Sequence, residues 1–187
     1  MKKPLMRTCL CALFAALLCV LSPIALPIGP IPVSLSLAVL LLSAASLGAF
    51  GAFLSTMLYL FLGALGLPVF AGGMGGFGVL LGPTGGFLLA YPIVAFLCGL
   101  TYRAVFTTAR VGKGARFFLG ILAGLPGVLI CYVLGCAQYT VVDDVPVWSA
   151  IAVTVLPFVL FDLLKLAALS WIVERILRIK AIHDWLK

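Results

Sequence analysis

Asp162 and Lys165 are the residues with the most chemistry to offer. They stand three positions apart in Phe161-Asp162-Leu163-Leu164-Lys165, inside an apolar run from Val147 to Val173. On a helix that spacing puts both side chains on one face, where each neutralises the other. Either charge alone near a bilayer centre costs about 2.5–3.5 kcal/mol on insertion scales. Ionisable groups kept at such depth mark a polar cavity or a transport path by default. The pair therefore reads as the polar end of a ligand site, with a self-contained structural ion pair as the alternative.

A second stretch points to a ligand from the backbone side. Residues Gly66 to Phe87 are dense in glycine yet apolar, unlike the Ser- and charge-rich composition of a flexible linker. Non-helical backbone at membrane level survives only when buried in protein or lining a cavity. Glycine also lets backbone N–H groups come close to a ligand. The stretch has no Lys-Ser/Thr after its glycines and no strand before them, so it is not a nucleotide loop. It is expected to form a lid. Thr84 is a candidate N-cap for the helix that follows, and Gly85 and Gly86 would leave its first-turn N–H groups uncovered, an anion site suited to a ligand carboxylate.

The elements that must position these groups follow from composition. The chain is 65% hydrophobic and 9% charged, with mean hydropathy +1.33, whereas soluble domains carry about 25% charged residues. It is an all-α integral membrane protein by this reading, one membrane domain over residues 1–187 with no room for a soluble enzymatic domain. At roughly 20 residues per span, it is expected to form a bundle of about six transmembrane helices. The spans are expected at 5–26, 33–45, 47–65, 85–102, 117–139 and 147–173. The first begins with Lys2, Lys3 and Arg7 like a secretory signal, but its apolar run is longer than a signal core, so it is read as a retained helix. Pro27-Ile28-Gly29-Pro30-Ile31-Pro32 breaks the chain after it into a stiff extended loop. Ala12 and Ala16, one turn apart, let another helix approach closely. Gly120 and Gly124 share that spacing in the fifth span. Six cysteines lie in apolar segments, and the single His183 is in the polar tail, so they read as small buried groups rather than metal ligands.

Charge sets the orientation. Eleven of the twelve Lys and Arg fall in the N-terminal tail, the loop with Arg103, Arg110, Lys113 and Arg116, and the C-terminal tail; Lys165 is the exception. The three opposite loops carry none, and one holds Asp143 and Asp144. The positive-inside rule then puts both termini in the cytoplasm and the Pro-rich, Gly-rich and acidic loops outside. Asp162 lies fifteen residues into the last span, roughly 22 Å of helix. The expected geometry is an outward-facing pocket, capped by the glycine loop and floored by the ion pair.

Gly66-Leu67-Pro68-Val69-Phe70-Ala71-Gly72-Gly73-Met74-Gly75-Gly76, then Gly82-Pro83-Thr84-Gly85-Gly86-Phe87, resembles the signature of the BioY family, the biotin-specific S components of energy-coupling-factor (ECF) vitamin transporters. Asp162-x-x-Lys165 is similar to that family's Asp/Lys motif, and Pro30-Ile31-Pro32-Val33 to its first loop. The resemblance covers the whole chain. It implies high-affinity binding of biotin from outside and uptake across the cytoplasmic membrane, with no enzymatic activity. It also implies a transmembrane coupling subunit and two cytoplasmic ATPases as partners, the Ala12/Ala16 face docking on the first of these. No cofactor and no nucleic acid are expected. Three positions depart from the family: Ser36 where Gln is frequent, Met74 where some members place Asn, and Leu88 where some place Arg.

The resemblance also implies roles. Asp162 as a carboxylate accepts only, which suits the ureido N–H groups of biotin; Lys165 donates only, which suits the ureido oxygen or the carboxylate. Phe70, Phe77 and Tyr91 would pack on the apolar remainder. The ligand carboxylate is expected at Gly85–Gly86, with loop N–H groups around Gly73 and Gly75 in place of the missing Asn and Arg. Other readings are an S component for another vitamin and a solitary secondary transporter, although the internal repeats usual in the latter are not found. An intramembrane enzyme would need a Ser–His or paired-Asp arrangement that the spans lack.

Overall fold

The computed structural model describes residues 3–26, 31–108 and 113–176. Lys2, Pro27 to Pro30, Arg110 and the tail with Arg178, Lys180, His183 and Lys187 lie outside the described residues. The chain is helical almost throughout. Helix α1 runs Lys3–Leu21 and stops short of the expected Leu26, because Ser22-Pro23 follows and proline has no N–H to continue the ladder. Two residues on either side of the Pro-rich loop then pair as an antiparallel ladder, β1 Ala25–Leu26 with β2 Val33–Ser34, in register Ala25↔Ser34. With Val33–Ser34 in this ladder, the next helix begins only at Ser36.

Helix α2 is Ser36–Ala64, interrupted by non-helical backbone at Gly48 (φ 73°, ψ −175°). The interruption reverses the chain. Along one straight helix Ser36 and Tyr59 would stand about 34 Å apart. Instead both reach Tyr91: the Ser36 hydroxyl lies 2.6 Å from its hydroxyl, and the Tyr59 ring stacks at 6.5 Å from its ring. The turn itself sits against Gly99, where a Cβ would overlap Ala49. A left-handed φ is costly for residues with a Cβ, which is why glycine occupies the turn. The break expected between Ala45 and Leu47 is thus made at Gly48.

The glycine loop contains a 3-10 turn Ala71–Gly73 and the short helix α3, Phe77–Leu81. Helix α4 is Gly85–Thr108 and α5 is Lys113–Val142, both longer than the expected spans. The expected last span is two helices, α6 Val147–Thr154 and α7 Leu156–Ile176. Pro157 in the first turn of α7 can neither donate back to the α6 carbonyls nor clear them, so the helix restarts there.

The helices close over one main core in which Leu18, Leu40, Tyr59, Phe70, Val94 and Leu166 are fully buried. Glycines set the distances between helices. A Cβ on Gly124 would overlap Leu166 of α7, and one on Gly127 would overlap Cys98 of α4. The outward faces carry large apolar groups, including Phe50, Phe61, Phe118, Leu129 and Leu160. Among the described residues four helices are long and apolar enough to cross a membrane, α2 (counted through its break at Gly48), α4, α5 and α7, with the shorter apolar helix of α1 beside them. Apolar groups inside and outside alike belong to a bundle solvated by lipid.

Candidate functional site

Asp162 and Lys165 are one turn apart on α7 and meet as the spacing requires, Lys165 Nζ donating to Asp162 Oδ1 at 2.9 Å. The other carboxylate oxygen, Oδ2, accepts from the Tyr132 hydroxyl of α5 at 2.6 Å. Asp162 is only 5% exposed. Its desolvation is offset by two charge-assisted hydrogen bonds, the condition under which a buried carboxylate is tolerated. The pair faces protein rather than lipid.

A cavity of about 40 Å³ lies elsewhere, under the glycine loop. Its walls come from three segments. The Pro-rich loop supplies Ile31, Pro32 and Ser34; the glycine loop supplies Phe70, Ala71, Met74, Val79 and Thr84; α4 supplies Phe87, Leu88 and Tyr91. Drug-sized ligands occupy pockets of roughly 300–1,000 Å³, so the loops and walls stand close together here. Asp162 and Lys165 do not line this space. Phe87 is the bridge between them: it forms part of the cavity wall, and its ring packs so tightly on α5 that a Cβ on Gly135, one turn from Tyr132, would overlap it.

Each wall is held by a specific contact. Phe70 is fully buried, edge-on to Tyr59 at 5.6 Å, and fits because Gly63 has no Cβ to strike its ring. The Tyr59 hydroxyl pairs with Ser22 at 2.6 Å, tying that wall to the end of α1. Tyr91 and Ser36 are hydrogen-bonded, and Ser34 bonds Ser36 in turn, so a chain of three hydroxyl groups runs along one side. The loop is tied down by its backbone: Gly76 N–H donates to Gly63 O at 2.7 Å and Gly72 N–H to Pro23 O at 3.3 Å. Gln138 of α5 donates from Nε2 to Leu80 O and Gly82 O, at 2.9 and 2.8 Å.

The structure brings Phe70, Met74 and Tyr91 to the wall of one cavity. It places the other glycines differently. Gly85 and Gly86 are buried, and a Cβ there would strike Leu80 O or Leu134 O and crowd Gln138 of α5; their lack of a side chain lets these segments pack closely. Gly73 donates its N–H to Phe70 O at 3.0 Å, and Gly75 is pressed on the Leu67 carbonyl. Phe77 is 63% exposed and stands off the cavity. Ala12 and Ala16 are both exposed, on the face of α1 away from buried Cys11, Ala15 and Leu18. Sequence reasoning missed Tyr132, Ser34 and Gln138. A tyrosine hydroxyl or an amide in the middle of an apolar span needs a partner, and that was the available signal.

Residues 1–181 match the model of the BioY family. A protein from Pyrococcus horikoshii described as a probable biotin transporter BioY is 38% identical over 170 residues, covering 89% of this chain and 93% of that one. The biotin transporter BioY of Thermotoga maritima is 37% identical over 169 residues, covering 90% and 94%. Among solved structures, the S-component for biotin from an ECF-type ABC transporter superposes with TM-score 0.86 at 24% identity, over 100% of this chain and 98% of that one. That last likeness speaks for the fold.

Proposed function

The chain belongs to the BioY family, and from that membership we propose that it takes up biotin across the cytoplasmic membrane as the S component of an ECF transporter. The observation that carries this reading is the family match across residues 1–181 together with relatives named as biotin transporters over nearly their whole length. It is a multi-pass membrane protein of a transport family, not an enzyme. The two limbs of α2, 36–47 and 49–64, count as separate crossings in our reading, which makes six with α1, α4, α5 and α6–α7. Both termini then face the cytoplasm, and the loops around the cavity face outward.

Biotin has a ureido edge at one end and a carboxylate at the other. The Asp162–Lys165 pair supplies an acceptor and a donor in a neutral unit, which matches the ureido N–H groups and oxygen. For the ligand to reach it, Tyr132 yields Asp162 Oδ2 and the Phe87 side of the cavity opens inward. The apolar ring system packs on Phe70 and Tyr91. A coupling subunit docks on the exposed Ala12/Ala16 face and two ATPases drive the cycle from the cytoplasm.

The test is direct. Protein purified gently in detergent is expected to release biotin on denaturation, read by mass spectrometry. Cells expressing it with the coupling and ATPase subunits are expected to accumulate labelled biotin, and cells lacking those subunits to bind it only. Recovery of a different vitamin would overturn the substrate, and equal uptake without the ATPases would overturn the S-component role.

A further inference from the structure

The cavity under the glycine loop is lined by apolar groups and hydroxyls. Among the described residues no Lys, Arg or His faces it. Its polar groups are Ser34, Thr84 and the hydroxyl of Tyr91; Ser34 and Tyr91 each pair with Ser36 and keep lone-pair capacity for a further bond. Met74 and Leu88, at two positions on the wall, have no hydrogen-bonding nitrogen to offer a carboxylate. Lys165 is 2.9 Å from Asp162, so a second carboxylate brought to it would share a single ammonium already neutralised.

We propose that this cavity holds the acyl tail of the ligand by neutral hydroxyl groups, so that esters and amides of biotin are ligands of this chain on nearly equal terms with the free acid. The inference rests on the reading of the protein as a biotin carrier. A hydroxyl both donates and accepts, and so pairs with a carboxylate, an ester carbonyl or an amide alike. A cation would reward only the ionised form, and its absence removes that discrimination. Burying an ionised carboxylate without a counter-charge is costly, which offsets the stronger hydrogen bonds that the ionised form draws from the same hydroxyls. A neutral tail draws weaker hydrogen bonds from Ser34 and Thr84 and carries no such cost.

The experiment compares biotin, biotin methyl ester and biotinamide by titration calorimetry on the full chain in detergent. The neutral compounds are expected to bind within about tenfold of the acid, since the acid's stronger hydrogen bonds are offset by the greater desolvation of its carboxylate. A preference for the acid beyond that ratio overturns the inference while leaving the biotin reading intact. Failure of all three to bind overturns the functional reading and the inference with it. Ser34→Ala and Thr84→Val, made singly so that a folded protein is at hand, are each expected to weaken all three ligands in parallel. A variant pair that weakens the acid alone, or none of the three, overturns the assignment of these hydroxyls.

Discussion

The Tyr132 hydroxyl lies 2.6 Å from Asp162 Oδ2, on the carboxylate oxygen that Lys165 does not engage. Both oxygens of the buried carboxylate are therefore partnered from within the protein, one by α7 and one by α5. A ligand N–H reaching Asp162 has to share or replace the tyrosine. The cavity wall meets α5 at Phe87, whose ring packs against Gly135, one turn from Tyr132.

Tyr132→Phe removes the donor to Asp162 Oδ2 and leaves that oxygen buried and half-satisfied. The empty protein is expected to lose about 1–3 kcal/mol of stability. A ligand N–H would then fill the vacancy, so the rise in melting temperature on adding biotin is expected to exceed that of the unaltered protein. Thermal unfolding with and without biotin checks this, and a smaller rise would mean that the tyrosine assists the ligand rather than competing with it.

Asp162→Asn strips Lys165 of its counter-charge and, in the proposed binding mode, the ligand of its charged acceptor. Breaking one half of a buried pair costs about 3–5 kcal/mol, so biotin affinity is expected to fall by a hundredfold or more. Calorimetry on protein that still elutes as a single species separates this from simple misfolding. Retention of tight binding would remove Asp162 from the site.

Gly63→Ala places a methyl group against the Phe70 ring. Overpacking of this kind costs about 1–3 kcal/mol, and the ring that must move is part of the cavity wall, so biotin binding is expected to weaken together with stability. Gly78→Ala, where nothing stands within 4 Å, is the matched control and is expected to leave both unchanged.

Ala12→Trp adds bulk to an exposed face of α1 without touching the cavity. Biotin binding by the isolated protein is expected to stay as it was, while uptake with the coupling and ATPase subunits falls to background. Equal loss of binding and uptake would place the α1 face in the fold rather than in docking.

The parts of the fold that were legible in the chain are those dictated by local composition. Apolar runs announced the helices, although α1 stops at Leu21, ahead of Pro23, and not at the Leu26 expected from the later proline run. The i,i+3 spacing on its own required that Asp162 and Lys165 meet. The glycines were harder to interpret, because a missing Cβ looks the same whatever it makes room for. Gly85 and Gly86, expected to open a helix end to an anion, also admit α5, a neighbour about fifty residues further along the chain. Gly48, by spacing one of several small residues that thin a span for close packing, instead carries the reversal that lets Ser36 and Tyr59 meet at Tyr91.

Membrane residence, the family and the existence of a buried ion pair were settled by residue order, since each depends on composition or on neighbours within one helical turn. Which groups face the ligand space was not. Tyr132 finds Asp162 thirty residues away, and Ser34 and Thr84 come to a common cavity, only after α4, α5 and the two loops have packed. Hydrogen bonds and cavities between distant segments depend on side-chain shape at the helix contacts, and no periodicity along the chain encodes that shape.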